Sequence, residues 1–156
     1  MKRKIIFSVI GFLALAFIVM QFFRPEKNDA KVTTDEIIFQ LDIPAGVRKT
    51  IVASCYDCHS NQTQYPWYAS FAPVSWMLAN HVKEGKEKLN FSDWKNYSRR
   101  DQIGLLDEIC EVVTNEEMPL KSYLLMHSNA ILLEHQKKEL CDWTSEAAAT
   151  IMQNKE

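Results

Sequence analysis

The sequence predicts an all-α fold, with one N-terminal membrane helix ahead of a small helical domain. Three observations carry that prediction. Apolar residues after position 33 recur at spacings of three and four, no segment shows the alternation of period two that a strand requires, and one apolar run at the N-terminus is long enough to cross a bilayer. At 156 residues, 47% of them hydrophobic, the chain can fill one modest core and carry one appendage.

The appendage comes first. Met1-Lys2-Arg3-Lys4 precedes an apolar run from Ile5 to Phe23, interrupted only by Ser8, Gly11 and Gln21. Nineteen residues at 1.5 Å each reach about 28 Å, close to the hydrocarbon thickness of a bilayer. The run ends Gln21-Phe22-Phe23-Arg24-Pro25, without a small-x-small cleavage site or a lipobox cysteine. Residues 1–24 therefore read as an uncleaved signal anchor in preference to a cleaved signal peptide. By the positive-inside rule Lys2, Arg3 and Lys4 stay in the cytoplasm and everything after Arg24 is exported. The expected location is a bacterial inner membrane, crossed once, with the C-terminal domain in the periplasm. The rest of the chain holds 14 basic against 20 acidic residues, a net of −6 with no basic stripe, which disfavours nucleic acid as a partner.

Residues 25–32 are polar and read as a linker, and residues 33–156 as the exported domain. Ile37, Ile38 and Leu41 predict one or two helical turns begun at Thr33 or Thr34. Pro44 then starts a second helix through Val47, Ile51 and Val52 that leads into Cys55. Ser60–Pro73 reads as a loop holding four aromatic residues, among them Trp67, Tyr68 and Phe71, suited either to wrapping a large planar ligand or to plugging the core. A helix over 74–88 should turn Val74, Met77, Leu78, His81 and Val82 to one face, with Gly85 weakening its last turn. Residues 90–94 read as a turn with Phe91 and Trp94 packed inward. Ser98-Arg99-Arg100-Asp101 is a capping box for a helix through Val113, burying Ile103, Leu106, Ile109, Cys110 and Val113. Met118-Pro119 sits in an extended connection, Leu120–Leu132 is ambiguous, and a last helix from Leu133 carries Leu140, Trp143 and Ala147 inward, fraying over 153–156. Cys110 and Cys141 lie on separate helices, and both a disulfide and two buried thiols fit their surroundings.

Cys55-Tyr56-Asp57-Cys58-His59 is a C-x-x-C-H run, the attachment motif of c-type haem. Two thiols three residues apart lie on one side of a helical turn and can add to the two vinyl groups of a haem. The histidine that follows is carried under the iron as proximal ligand. Covalent attachment takes place outside the bacterial cytoplasmic membrane, so the export signal and the motif support each other. Two other uses of a C-x-x-C compete. Zinc would require a second ligand pair at matching spacing, which Cys110 and Cys141 do not supply. A redox dithiol would open a helix after a strand in a βαβ unit, and no such alternation is visible. The expected cofactor is one covalent haem c in a small cytochrome c-like helical domain. Cys55 and Cys58 would be its thioether ligands and His59 its proximal ligand. For the far side of the iron Met118 is the first candidate, because it lies in a loop between two helices well after the motif and Pro119 stiffens the backbone beside it. His81 and His127 are the alternatives, and a vacant position remains open.

Several runs together resemble the bacterial haem-binding domain family. These are Cys55–Asn61, Tyr65-Pro66-Trp67-Tyr68, Ala72-Pro73-Val74-Ser75-Trp76, Leu89-Asn90-Phe91-Ser92 with Trp94, and Met118-Pro119-Leu120. The resemblance covers about residues 33–145. It implies a small exported, often membrane-anchored protein with one c-type haem motif. The order of C-x-x-C-H, helices, Met-Pro and a final helix with Trp143 is also similar to that of small class I cytochromes c, and by that analogy it strengthens Met118. One position departs from the family pattern. Leu133 stands where a Ser or Thr cap would open the last helix, implying a frayed start.

The functional expectation is a membrane-tethered mono-haem cytochrome that passes single electrons between redox partner proteins. No general base, nucleophile or substrate pocket is readable, so the chain is not expected to be an enzyme, with peroxidase-like activity left open. The alternative is a haem-based sensor or ligand-binding module with an open distal site.

Overall fold

A single helix, α1 (Lys2–Met20), stands at the N-terminus with none of its residues buried. The structure, a computed structural model, describes residues 2–153; of the end expected to fray, 153–156, Gln153 is the last residue of the final helix and 154–156 lie outside the described residues. It is all-helical as predicted, and α1 is long and apolar enough to cross a membrane. Among the described residues seven further helices follow: α2 (Ile37–Gln40), α3 (Ala45–Ser54), α4 (Tyr56–His59), α5 (Val74–Lys88), α6 (Arg99–Thr114), α7 (Lys121–Leu124) and α8 (Glu134–Gln153). Three 3₁₀ turns, Trp67–Ser70, Phe91–Asn96 and Ser128–Ala130, sit among them.

The long helices α6 and α8 form the frame. They run antiparallel, since Arg99 at the start of α6 donates to the carbonyl of Ile151 at the end of α8, while Cys110 and Cys141 form a disulfide near the opposite ends. The disulfide settles the alternatives left open by the sequence, and its Cα atoms are 4.9 Å apart. Helix α3 packs on α8, and α2 packs on the Phe91–Asn96 turn. Between them lies one core: Ile37, Ile51, Phe91, Trp94, Leu106 and Leu140 are almost wholly withdrawn from water. Each such side chain contributes about 1.5–3 kcal/mol of burial free energy. Trp143, inward as predicted, donates its indole N–H to the carbonyl of Asp42 and ties α8 to the loop before α3.

The ends of α6 show how the sequence sets direction. Ser98 caps the start, its Oγ accepting from the Asp101 N–H, although Asp101 answers through the Ser98 hydroxyl and not through its backbone. At the other end Glu116 takes a left-handed φ of 58°. The N–H groups of Glu116 and Glu117 return to the carbonyls of Val113 and Val112, a Schellman turn with glutamate where glycine is usual. The Met118 N–H also returns to the Val112 carbonyl, so Met118 is held at the base of α6.

Four expectations change. Helix α2 starts at Ile37, not at Thr33 or Thr34, because Thr34 is used from outside: its carbonyl accepts from the Gln40 side chain. Met77 faces solvent, since the inward side of α5 runs through Ser75 and Val82 to Gly85, small residues that let α5 approach its neighbours. Trp67 and Phe71 do not plug the core; Trp67 is 76% exposed. The start of α8 is held despite Leu133, because the Gln136 side chain reaches back to accept the Leu133 N–H, which is half of a capping box.

Candidate functional site

The C-x-x-C-H run forms its own turn. Backbone angles of −124° and −38° at Cys55 break α3 from α4. The N–H groups of Cys58 and His59 then both donate to the Cys55 carbonyl, at 3.2 and 3.0 Å. That single turn brings Cys55, Cys58 and His59 together, and the two cysteines are free thiols. Burial, aided by the mutual charge of the pair, pushes the Cys55 thiol up to about 12; burial with Asp57 beside it pushes Cys58 up to about 11. Both are therefore neutral thiols near pH 7.

His59 is oriented by its neighbours. Its Nδ1 lies 3.0 Å from the Leu89 carbonyl, which can only accept, so Nδ1 carries the proton and Nε2 keeps its lone pair. Burial lowers the pKa of the ring, opposed by the carbonyls of Leu89 and Gly85 and by the charge of Glu108. A neutral imidazole with Nδ1–H on a backbone carbonyl is the state in which histidine binds a metal through Nε2. The ring edge meets Phe91, which in turn stacks on Tyr56 at 5.5 Å.

Two supports were not foreseen from the sequence. Gly85 faces the motif so closely that a Cβ there would lie 2.7 Å from the Cys58 carbonyl oxygen. Asp57, inside the motif, fastens two loops with its two carboxylate oxygens: Oδ1 accepts the Gln64 N–H and Oδ2 accepts the Tyr123 hydroxyl at 2.7 Å. Burial, followed by the Asp57 hydrogen bond, raises the pKa of Tyr123 and keeps its proton in place. The only sequence signal for either was Gly85, an otherwise poor helix residue; the ties of Asp57 and Leu89 cross 66 and 30 residues.

The candidates for the far side of the iron are dispersed. Met118 is half-buried at the foot of α6. Its N–H is held by the Val112 carbonyl. His127 stacks on Tyr123 at 3.9 Å, its Nδ1–H donating to the Tyr123 carbonyl and its Nε2 3.4 Å from the Tyr68 hydroxyl. His81 is half-buried on α5. A cleft of about 440 Å³ lined by Lys27, Tyr65, Val82 and Lys86 contains none of these residues nor the motif.

The family model described as the haem-binding domain matches residues 15–146. The chain belongs to the haem-binding domain family. No curated protein and no solved structure matches it. The match takes in the last six residues of α1 as well as the helical domain, a longer stretch than the sequence runs alone marked out. The residues of this haem-binding domain fit the group: two unpaired thiols on one turn, and beside them a neutral histidine whose free nitrogen is fixed by a carbonyl behind it. Cys110 and Cys141 are spent on each other, which removes them as the second pair of a zinc site.

Proposed function

We propose that the chain is a membrane-anchored c-type cytochrome that carries one haem outside the cytoplasmic membrane and transfers single electrons between redox proteins. The observation that carries this reading is the His59 Nδ1–H on the Leu89 carbonyl, on the same turn as two reduced thiols. Cys55 and Cys58 would hold the haem as thioethers and His59 Nε2 would be the proximal ligand. Bound haem supplies reversible one-electron exchange at its iron. The protein's own part is orientation and burial. Leu89 fixes the imidazole, Gly85 lets α5 close against the motif, and the Asp57–Tyr123 bond draws the 121–130 segment over it. Met118 is the proposed distal ligand, supported by its place in the loop after α6, well beyond the motif, with its N–H held by the Val112 carbonyl; His127 is second, its Nδ1–H fixed on the Tyr123 carbonyl. The apolar α1 and the basic residues at its start support anchoring with the domain outside.

The test is the denaturing intact mass of the full chain made in a host that matures c-type haems. A mass greater by one haem, lost in Cys55→Ala/Cys58→Ala, is expected. An unmodified mass beside a normally matured control cytochrome refutes covalent attachment. Visible spectra of Met118→Ala, His127→Ala and His81→Ala then assign the distal ligand: the variant that changes from low to high spin identifies it. A wild-type iron that is five-coordinate and binds carbon monoxide would favour the sensor reading instead.

A further inference from the structure

Five exposed aromatic residues, Phe22, Phe23, Trp67, Phe71 and Trp76, are gathered around the exit of α1. Nineteen helical residues span about 28 Å, so a membrane that holds α1 meets its interface at Met20–Phe23. There the helix end is tied to the domain by side chains and backbone together. The Gln21 amide pairs with both polar atoms of the Ala72 backbone, donating to its carbonyl and accepting from its N–H. The Trp76 indole N–H donates to the Phe23 carbonyl. These bonds put Trp76 and the 67–73 loop at the depth where the chain leaves the hydrocarbon. On that side Trp67 and Phe71, in edge contact with each other, are exposed, as are Phe22 and Phe23. Such a patch is costly in water, whereas indole rings with an apolar body and a polar N–H are favoured in the headgroup layer.

We infer that the face formed by Trp67, Phe71, Trp76, Phe22 and Phe23 lies in the lipid headgroup layer of the leaflet from which α1 emerges, so that the domain rests on its own membrane. The inference builds on the anchor reading above and is independent of haem. Its occupant is lipid because the face is continuous with α1, the segment whose partner is the bilayer.

The experiment uses the full chain in vesicles of phosphatidylethanolamine and phosphatidylglycerol, with a photo-crosslinking p-benzoylphenylalanine replacing Trp67, Trp76 or, as a control, Glu146. Glu146 is exposed on α8, which packs on α6 and α3. Flotation with the vesicles reports the anchor, and mass spectrometry after irradiation reports lipid adducts. Lipid adducts roughly ten-fold more abundant at positions 67 and 76 than at 146 are expected. Chain that floats but gives no such excess, or that crosslinks to protein at 67 and 76, overturns the inference and leaves the anchor standing. Chain that does not float overturns both.

Discussion

Replacing Gly85 by alanine separates what a helix wants from what this site allows. In a helix interior alanine is better than glycine by about 1 kcal/mol. At Gly85 the added Cβ would lie 2.7 Å from the Cys58 carbonyl oxygen, 3.2 Å from its carbonyl carbon and 3.3 Å from its Cβ. Ordinary carbon–oxygen contacts begin at about 3.3 Å. The obstacle is backbone inside a hydrogen-bonded turn, so relief requires α5 to move off α4. Overpacking of this kind costs about 1–3 kcal/mol, here near 3 because no flexible side chain can yield. The net expectation for Gly85→Ala is a loss of about 2 kcal/mol. Gly104→Ala is the matched control, since a Cβ there meets nothing within 4 Å and the exposed α6 position should gain about 1 kcal/mol. The two chemically identical changes should therefore differ by about 3 kcal/mol, or on the order of 10 °C in Tm for a domain of this size. Thermal and urea unfolding followed by circular dichroism on the haem-loaded chain measures the gap, and the fraction of covalently modified mass reports the motif. If Gly85→Ala is as stable as Gly104→Ala, the tight approach of α5 to the C-x-x-C-H turn is refuted.

Removing the α6–α8 disulfide in Cys110→Ser/Cys141→Ser should lower the unfolding free energy by about 3–4 kcal/mol, from the 31-residue separation it closes; a urea midpoint unmoved by the double substitution or by reductant would contradict it. Tyr123→Phe removes a half-buried hydroxyl from the Asp57 carboxylate and should cost about 1.5 kcal/mol, with faster amide exchange over 121–130. Unchanged exchange would show that the bond does not hold the segment. In haem-free chain, burial disfavours the thiolates of Cys55 and Cys58, so their alkylation should be slow at pH 8 and still rising at pH 10. The urea-unfolded chain should react on the order of a hundred-fold faster at pH 8; equal rates by mass-resolved labelling would refute the buried thiols.

The long helices were legible because each carries its signals locally. The span 74–88 was read as a helix and α5 matches it, and Ser98 marked the start of α6. The motif was legible for the same reason, as five consecutive residues. What stayed hidden depends on partners far along the chain. Met77 was assigned inward on helical spacing, yet the face of α5 is chosen by where Gly85 lets the backbone approach Cys58. For Trp67 the sequence left a core plug and a ligand wrap equally open, and its exposed place goes with how the end of α1 is tied to Ala72. The pairing of Cys110 with Cys141 turned on the separation of two helices, which no local pattern encodes.

The stretch read as a linker has a part of its own. The Asn28 N–H donates to the Tyr65 hydroxyl, its side chain bonds to Ser60, Thr63 and Lys86, and Ala30 pairs with Asn61. It is laid along the loop that follows His59 instead of hanging free. An anchored domain built this way has no swinging arm. It does not sweep a volume in search of partners, and the slack that a solvated tether of eight residues would give is taken up. If α1 is in a bilayer, encounters with other membrane proteins reduce to sideways drift in two dimensions with a fixed angle of presentation. Partner and domain then have to match in height above the lipid, and under the proposed electron-transfer role lengthening or shortening the segment would shift rates through geometry alone.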